Sequence, residues 1–315
     1  MGLPRISPAR YQRLTLIALV LLAIIIVTGA AVRLTGSGLG CNDWPNCEPG
    51  TFVGAANNHQ LIEQINRLFT GLMAVAIMAA LAGSLLRAPR RRDLTRLSLS
   101  LVGGFLLQAV VGGIVVKSHL HPFAVMWHFL LSAIVLVASL VLHQRAGEVD
   151  GGSYLVIVAT RVRRLVLAAS AVGIAAVVSG TVVTGTGPHS GAYKNDPVRR
   201  FSFALISVAR VHSLLVLALI GLLLWLFRTI GKTPDWAVLE DRLSMTLLAV
   251  FVQGGIGYVQ YLTKLPAAIV AAHIAGATTV VITLTRLVLA TRTSVVHAGG
   301  ATPSRVWPVA QPSVG

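Results

Sequence analysis

The most constraining feature of this sequence is a series of eight apolar stretches, each long enough to cross a lipid bilayer. They lie at about 14–34, 61–86, 97–117, 125–143, 163–184, 203–228, 243–262 and 267–291. An α-helix rises about 1.5 Å per residue, so roughly 20 residues span the ~30 Å hydrocarbon core. Only 11% of the residues are charged, against about 25% in a typical soluble domain. The pattern predicts an all-α polytopic membrane protein and excludes an ordinary soluble enzyme.

The basic residues predict the orientation of the chain. Most of the 26 Lys and Arg residues fall on one side when the N-terminus is placed in the cytoplasm, as the positive-inside rule requires. We therefore expect a multi-pass protein of the plasma membrane with both termini cytoplasmic. The net charge of +16 is explained by this topology and not by binding to nucleic acid. The first apolar stretch is longer than the core of a secretory signal, which favours an uncleaved helix.

The two halves of the chain repeat. Without gaps, Thr28–Gly40 aligns with Ser179–Gly191, and Gln108 precedes His128 by the same interval as Gln253 precedes His273. Four crossings return a chain to its starting side, so the repeat predicts two four-helix bundles related by a pseudo-two-fold axis along the membrane normal. The predicted segments are a cytoplasmic N-terminus (1–13), an N-terminal bundle (14–143), a cytoplasmic linker (144–162), a C-terminal bundle (163–291) and a disordered cytoplasmic tail (292–315).

Three histidines lie inside apolar helices, where ionisable side chains are costly. His128, His212 and His273 occur at similar distances from the predicted outer ends of helices four, six and eight. Two imidazoles from facing helices can hold a haem iron from above and below. The sequence therefore predicts haem ligation by His212 and His273, with packed structural histidines or another metal as the alternatives.

The equivalent of His212 in the first half is Asn66, a weak iron ligand, so His128 is the one strong ligand predicted there. Glu63, Asn66 and Arg67 share one helix face by their spacing. One interpretation is a reactive carboxylate beside a haem edge, with Arg67 anchoring a propionate. The other is a Glu63–Arg67 ion pair that stabilises itself near the membrane interface.

The predicted outer loops carry further candidates. Cys41 and Cys47 lie in the first of them, where an oxidising environment and a ring of five intervening residues predict a disulfide. Its role, structural or redox-active, is left open. Arg33, Arg210 and His189 are candidates for propionate contacts; the alternatives are snorkelling arginines and a solvated loop histidine.

At this point the sequence resembles the haem A synthase family, membrane enzymes that convert haem O to haem A for cytochrome c oxidase. The resemblance covers about 14–291. It is carried by the segments TGAAVRLTGSGLGCNDWPNC (28–47), EQINR (63–67) and TGTGPHSG (184–191), together with the three helical histidines.

The resemblance implies that His212 and His273 hold a haem B cofactor and that the first half receives haem O as substrate. It implies oxidation of the porphyrin C8 methyl to a formyl group by two successive hydroxylations and dehydration, with Glu63 as the essential carboxylate. It also implies functional partners in haem O synthase and cytochrome c oxidase assembly. The family's helix-two pattern resembles Glu-x-x-His-Arg, and here Asn66 replaces the histidine. The rival functions are a b-type electron-transfer cytochrome and a haem transporter or chaperone.

Overall fold

The computed structural model describes residues 5–41, 44, 46–48, 50, 54, 56–193 and 198–295. Within these residues, eight helices are long and apolar enough to cross a membrane. The helices are α1 (Pro8–Leu34), α2 (Asn58–Leu86), α3 (Arg92–Lys117), α4 (Pro122–Ala146), α5 (Thr160–Thr186), α6 (Leu205–Ile230), α7 (Asp235–Leu262) and α8 (Ala267–Ala290). The predicted all-α membrane fold is confirmed.

The helices extend beyond the apolar stretches because polar residues form their first turns. At the start of α1, Pro8 occupies the first helical turn and the Ser7 side chain accepts the Arg10 N–H at 3.4 Å. At the start of α2, Asn57 Oδ1 accepts the Gln60 N–H at 3.0 Å. Such caps satisfy backbone donors that lack a partner within the helix. Helix α1 therefore begins at Pro8, within the predicted cytoplasmic segment 1–13 and before the apolar stretch that starts at about residue 14.

The turns that join α3 to α4 and α7 to α8 have the same backbone form. His119 and Leu120 have φ values of 50° and 56°, and Lys264 and Leu265 have 63° and 62°. In each turn the leucine N–H bonds to the carbonyl five residues earlier, at 2.9 Å for Leu120 and 2.7 Å for Leu265. Two consecutive left-handed residues are costly for side chains with a Cβ. Their occurrence at matched positions supports the predicted internal repeat.

Buried apolar side chains form two clusters, one drawn from residues 11–146 and the other from 158–287. Helix α8 packs against α1 and α4, and α4 also contacts α5, so these helices join the two halves. Large apolar side chains on the outside are exposed, among them Val75, Ile174 and Leu214. Such a surface suits contact with lipid.

A short two-stranded sheet corrects the prediction for the start of the tail. Strand β1 (Ser153–Val156) pairs antiparallel with β2 (Arg292–Val295), so the predicted disorder does not begin at residue 292. Composition suggested disorder for the whole tail, but pairing with a distant segment orders its first four residues. The rest of the predicted disordered tail lies outside the described residues.

Tyr154 anchors this sheet to the end of α4. The Arg145 and Arg292 guanidinium groups lie 5.1 and 4.9 Å from its ring centroid. The Tyr154 hydroxyl donates to Glu148 Oε2 at 2.5 Å. Burial, together with the Glu148 carboxylate, raises the pKa of the Tyr154 phenol, which keeps it protonated and able to donate this hydrogen bond.

Candidate functional site

The structure brings the imidazole rings of His212 on α6 and His273 on α8 close together. Their ring centroids are 6.4 Å apart, with an angle of 74° between the ring planes. Two imidazoles that share one metal need a centroid separation of about 6 Å, from two metal–nitrogen bonds of roughly 2 Å and the ring radii. The observed separation therefore fits a pair of axial ligands to one iron.

Hydrogen bonds fix which nitrogen of His212 is available for a metal. Its Nδ1 lies 3.0 Å from the Ala176 carbonyl oxygen and 3.0 Å from Ser179 Oγ. A metal-binding histidine commonly uses its second nitrogen in this way, which sets the tautomer and the ring orientation. The arrangement leaves His212 Nε2 as the nitrogen that can bind iron.

A glutamine of the preceding helix holds the backbone beside each of the other two histidines. Gln253 Nε2 donates to the His273 carbonyl at 2.7 Å, and Gln108 Nε2 donates to the His128 carbonyl at 3.2 Å. The Nδ1 atoms of His273 and His128 are buried without a hydrogen-bond partner among the described residues. The sequence repeat that relates these residues thus has a structural counterpart.

A glycine on the neighbouring helix lies against each histidine ring. A Cβ placed on Gly257 would lie 3.1 Å from His273 Cε1, one on Gly180 would lie 3.2 Å from His212 Cε1, and one on Gly112 would lie 3.4 Å from His128 Cε1. These distances are shorter than most real Cβ contacts or at the edge of the ordinary range. Each ring therefore lies in a space that a side chain on the adjacent helix would occupy.

In the first half, Asn66 has the environment that His212 has in the second. Thr28 Oγ1 donates to Asn66 Oδ1 at 2.9 Å, and Thr28 aligns with Ser179, whose hydroxyl contacts His212. Asn66 is half-buried on α2. Asn66 and His212 thus share one feature, a contact with the hydroxyl group of an aligned residue on the preceding helix.

Glu63 is buried, with 5% of its surface exposed, and both of its carboxylate oxygens are engaged. Oε1 accepts from Arg67 Nη2 at 2.6 Å and from Arg67 Nε at 3.2 Å, while Oε2 accepts the Cys41 backbone N–H at 2.9 Å. The predicted Glu63–Arg67 ion pair is therefore present, and the loop that carries Cys41 contacts it. No sequence pattern indicated the bond from Cys41.

The loop that carries the two cysteines contacts this ion pair twice. Cys41 and Cys47 are buried, and their sulfur atoms lie 2.10 Å apart, at disulfide distance. Besides the bond from Cys41 to Glu63, Arg67 Nη1 donates to the Asn46 carbonyl at 2.9 Å. A bond between the cysteines would therefore hold the backbone groups that position Glu63 and Arg67.

The three predicted propionate contacts have other partners or positions. Arg33 Nη2 donates to the Thr184 carbonyl at 2.9 Å and also to the His189 carbonyl. His189 Nε2 lies 2.8 Å from the Leu265 carbonyl oxygen, and Arg210 is exposed on α6. Arg33 and His189 thus connect the loops at one end of the helices, and Arg210 is not brought together with them.

Sequence reasoning missed two other cations in the connections of the C-terminal half. Arg200 and Lys264 line a cleft of about 670 Å³ between the α5–α6 connection and the α7–α8 turn, together with Thr186, Ser190 and Tyr261. Burial lowers the pKa of the Arg200 guanidinium, whose Nη2 donates to the Thr184 carbonyl at 2.6 Å and also to the Gly187 carbonyl. The signal for Lys264 was available, because it precedes Leu265 just as His119 precedes Leu120.

Comparisons with known proteins agree with this geometry. Curated proteins named Heme A synthase match from Lysinibacillus sphaericus (30% identity over 128 residues), Bacillus pumilus (30% over 131) and Staphylococcus saprophyticus (29% over 145). The matched regions cover 40%, 41% and 46% of this chain and 42%, 42% and 48% of the relatives. The chain therefore aligns with about half the length of each.

A family model covers a larger part of the chain. The model named COX15-CtaA, described as a cytochrome oxidase assembly protein, matches residues 12–200. The match includes Glu63, Asn66 and His128 and ends before the His212–His273 pair. On this match, which spans more than half of its residues, the chain belongs to the COX15-CtaA family of cytochrome oxidase assembly proteins.

Proposed function

We propose that this protein is a haem A synthase, which oxidises the C8 methyl group of haem O to a formyl group. The observation that carries the proposal is the buried Glu63 carboxylate. It lies one helical turn before Asn66, the residue that the sequence repeat aligns with His212. A carboxylate held by Arg67 and a backbone N–H beside a haem-binding position has the charge that this oxidation requires.

Glu63 acts on the methyl group through its negative charge. Removing electrons from a methyl carbon attached to the porphyrin develops positive character there, which a nearby carboxylate stabilises. The same carboxylate would accept the proton released when the carbon–hydrogen bond breaks. In each of the two hydroxylations, two electrons pass in one-electron steps to an external electron acceptor, and a water molecule supplies the oxygen atom and releases a second proton. Arg67 and the Cys41 N–H keep the group in place at 2.6 and 2.9 Å, so little reorganisation is needed when the charge develops.

In the second half, His212 and His273 are the residues that would hold haem B. The separation of 6.4 Å between their ring centroids and the hydrogen bonds to Nδ1 of His212 support this role. Bound haem B would supply one-electron transfer. Arg33, Arg210 and His189 stay proposed contacts of its propionate groups, and Arg200 and Lys264, which line the cleft between the α5–α6 connection and the α7–α8 turn, are further candidates. In the first half, His128 would hold the haem O iron, and Arg67 stays a proposed contact of its propionates.

The protein is proposed to lie in the plasma membrane, with both of its termini in the cytoplasm. The haem sites then lie toward the outer face, and the proposed Cys41–Cys47 disulfide lies in the oxidising compartment. Haem O synthase and the cytochrome c oxidase assembly machinery are the proposed functional partners, because one supplies the substrate and the other consumes the product.

The deciding experiment is mass spectrometry of haem extracted from cells that express this protein together with haem O synthase. A formyl-bearing product is expected with the wild-type chain and not with Glu63→Gln. Bound haem without any formyl product would contradict the proposal and favour a transporter, a chaperone or an electron-transfer cytochrome.

A further inference from the structure

The side-chain amide of Asn66 has a defined orientation. Thr28 Oγ1 lies 2.9 Å from Asn66 Oδ1 and 3.3 Å from the Ile25 carbonyl oxygen. A hydroxyl group has one proton, and the shorter contact takes it. The amide oxygen is therefore the acceptor, and the amide nitrogen with its two N–H groups is the end of Asn66 left for other partners.

Asn66 is a poor iron ligand in this orientation. An amide nitrogen is a donor without a free lone pair for a metal, and the amide oxygen, a weak ligand for iron, uses one of its two lone pairs to accept from Thr28. In the second half the equivalent hydroxyl of Ser179 contacts Nδ1 of His212, which leaves Nε2 for iron. The aligned hydroxyl groups thus have different effects: that of Ser179 orients His212 as an iron ligand, and that of Thr28 orients Asn66 as a hydrogen-bond donor.

We propose that the iron of the substrate haem is held by His128 alone and that its opposite face binds a small ligand stabilised by the Asn66 amide. The ligand class is a water molecule or a small iron ligand whose bound atom carries negative charge, because the amide offers only N–H donors. This inference rests on the proposed function, since it requires a haem in the first half. The His212–His273 pair, by contrast, fills both faces of its iron and leaves no open position.

The test uses azide and carbon monoxide as probes on the full-length protein in detergent, containing its C-terminal haem and loaded with haem O. Azide is titrated against the ferric protein, and carbon monoxide is added after reduction. We expect both probes to bind the added haem and neither to bind the C-terminal haem, whose low-spin spectrum also reports correct folding.

Variants separate the roles of the amide and its support. Asn66→Ala and Asn66→Leu should weaken azide binding by about 10- to 100-fold, the range for losing a hydrogen bond to a charged acceptor. Thr28→Val should weaken it less, because the amide remains but is no longer oriented. Asn66→His should supply a second imidazole, make the added haem low-spin and abolish carbon monoxide binding.

Thr70→Val is the matched control. The Thr70 hydroxyl donates to the Asn66 backbone carbonyl at 3.0 Å and not to its amide, so azide affinity should stay at the wild-type value. Azide affinity unchanged in both Asn66→Ala and Asn66→Leu would overturn the inference. So would an added haem in the wild-type protein that is already low-spin and binds neither probe. Failure of the wild-type protein to accept any second haem would instead refute the proposed function, and this inference with it.

Discussion

The glycine beside each histidine ring offers a graded test of the haem sites. Gly257→Ala places a Cβ 3.1 Å from His273 Cε1 and 3.6 Å from its Nδ1. Because that contact is too short, the imidazole ring must move by a few tenths of an ångström or the two helices must separate. Overpacking of this kind costs about 1–3 kcal/mol, which corresponds to a loss of roughly 5- to 140-fold in haem affinity if the proposed ligand is the group displaced.

Gly254→Ala provides the matched control on the same helix. A Cβ at Gly254 would meet nothing within 4 Å, and alanine favours a helix over glycine by about 1 kcal/mol. This variant should therefore retain its haem and be at least as stable as the wild type. Both substitutions add one methyl group to α7, so a difference between them reports the contact with His273 and not a general effect on the helix.

The assay is haem content and the Soret spectrum of purified protein, followed by the rate of haem loss to an excess of a haem-binding acceptor protein. Gly180→Ala should resemble Gly257→Ala, since its Cβ would lie 3.2 Å from His212 Cε1. Gly112→Ala should have the smallest effect, and only on the first half, because its distance to His128 Cε1 is 3.4 Å. If Gly257→Ala and Gly254→Ala lose haem at the same rate with identical spectra, then His273 does not bind iron in the position described here.

Three further predictions concern the other half and the loops. Glu63→Gln should lower haem A formation by about 10²- to 10⁴-fold while the low-spin spectrum of the C-terminal haem persists. His212→Ala, the contrasting variant, should lose that spectrum. Near-normal turnover by Glu63→Gln would refute the catalytic role of Glu63. Thiol alkylation before and after reduction should show that Cys41 and Cys47 react only after reduction, and full labelling beforehand would exclude the disulfide. Arg33→Met should lower the melting temperature in detergent, because two carbonyl acceptors lose a charged donor at about 1.5–3 kcal/mol each; an unchanged melting temperature would contradict this role.

The number and type of the elements could be read from the sequence because bilayer thickness allows few solutions. An apolar run of about 20 residues has to be a helix when no water is present to satisfy the backbone. The repeat was equally readable, since Gln108 and Gln253 stand at the same interval before their histidines. The helix ends were less accurate, as the start of α1 at Pro8 shows, because capping depends on polar residues that hydropathy ignores.

The candidate site was predicted in part. The sequence placed Glu63, Asn66 and Arg67 on one helix face, and the structure places Glu63 and Arg67 in contact. It did not indicate Arg200 or Lys264, whose importance depends on a cleft formed by two separate connections. It also named Arg33 as a candidate propionate contact, but it did not indicate the bonds of this side chain to backbone carbonyls more than 150 residues away.

What the sequence by itself determined is the membrane fold, the repeat and the positions of the histidines along their helices. Only the tertiary structure decided which backbone groups meet those side chains, such as the Cys41 N–H at Glu63 and the Thr28 hydroxyl at Asn66. The physical reason is that helix formation in a membrane depends on local apolar length, which is written in consecutive residues. Contacts to backbone donors and acceptors have no residue signature, because every residue but proline carries both groups. Their partners are selected only when the helices pack and bring distant segments within hydrogen-bond distance.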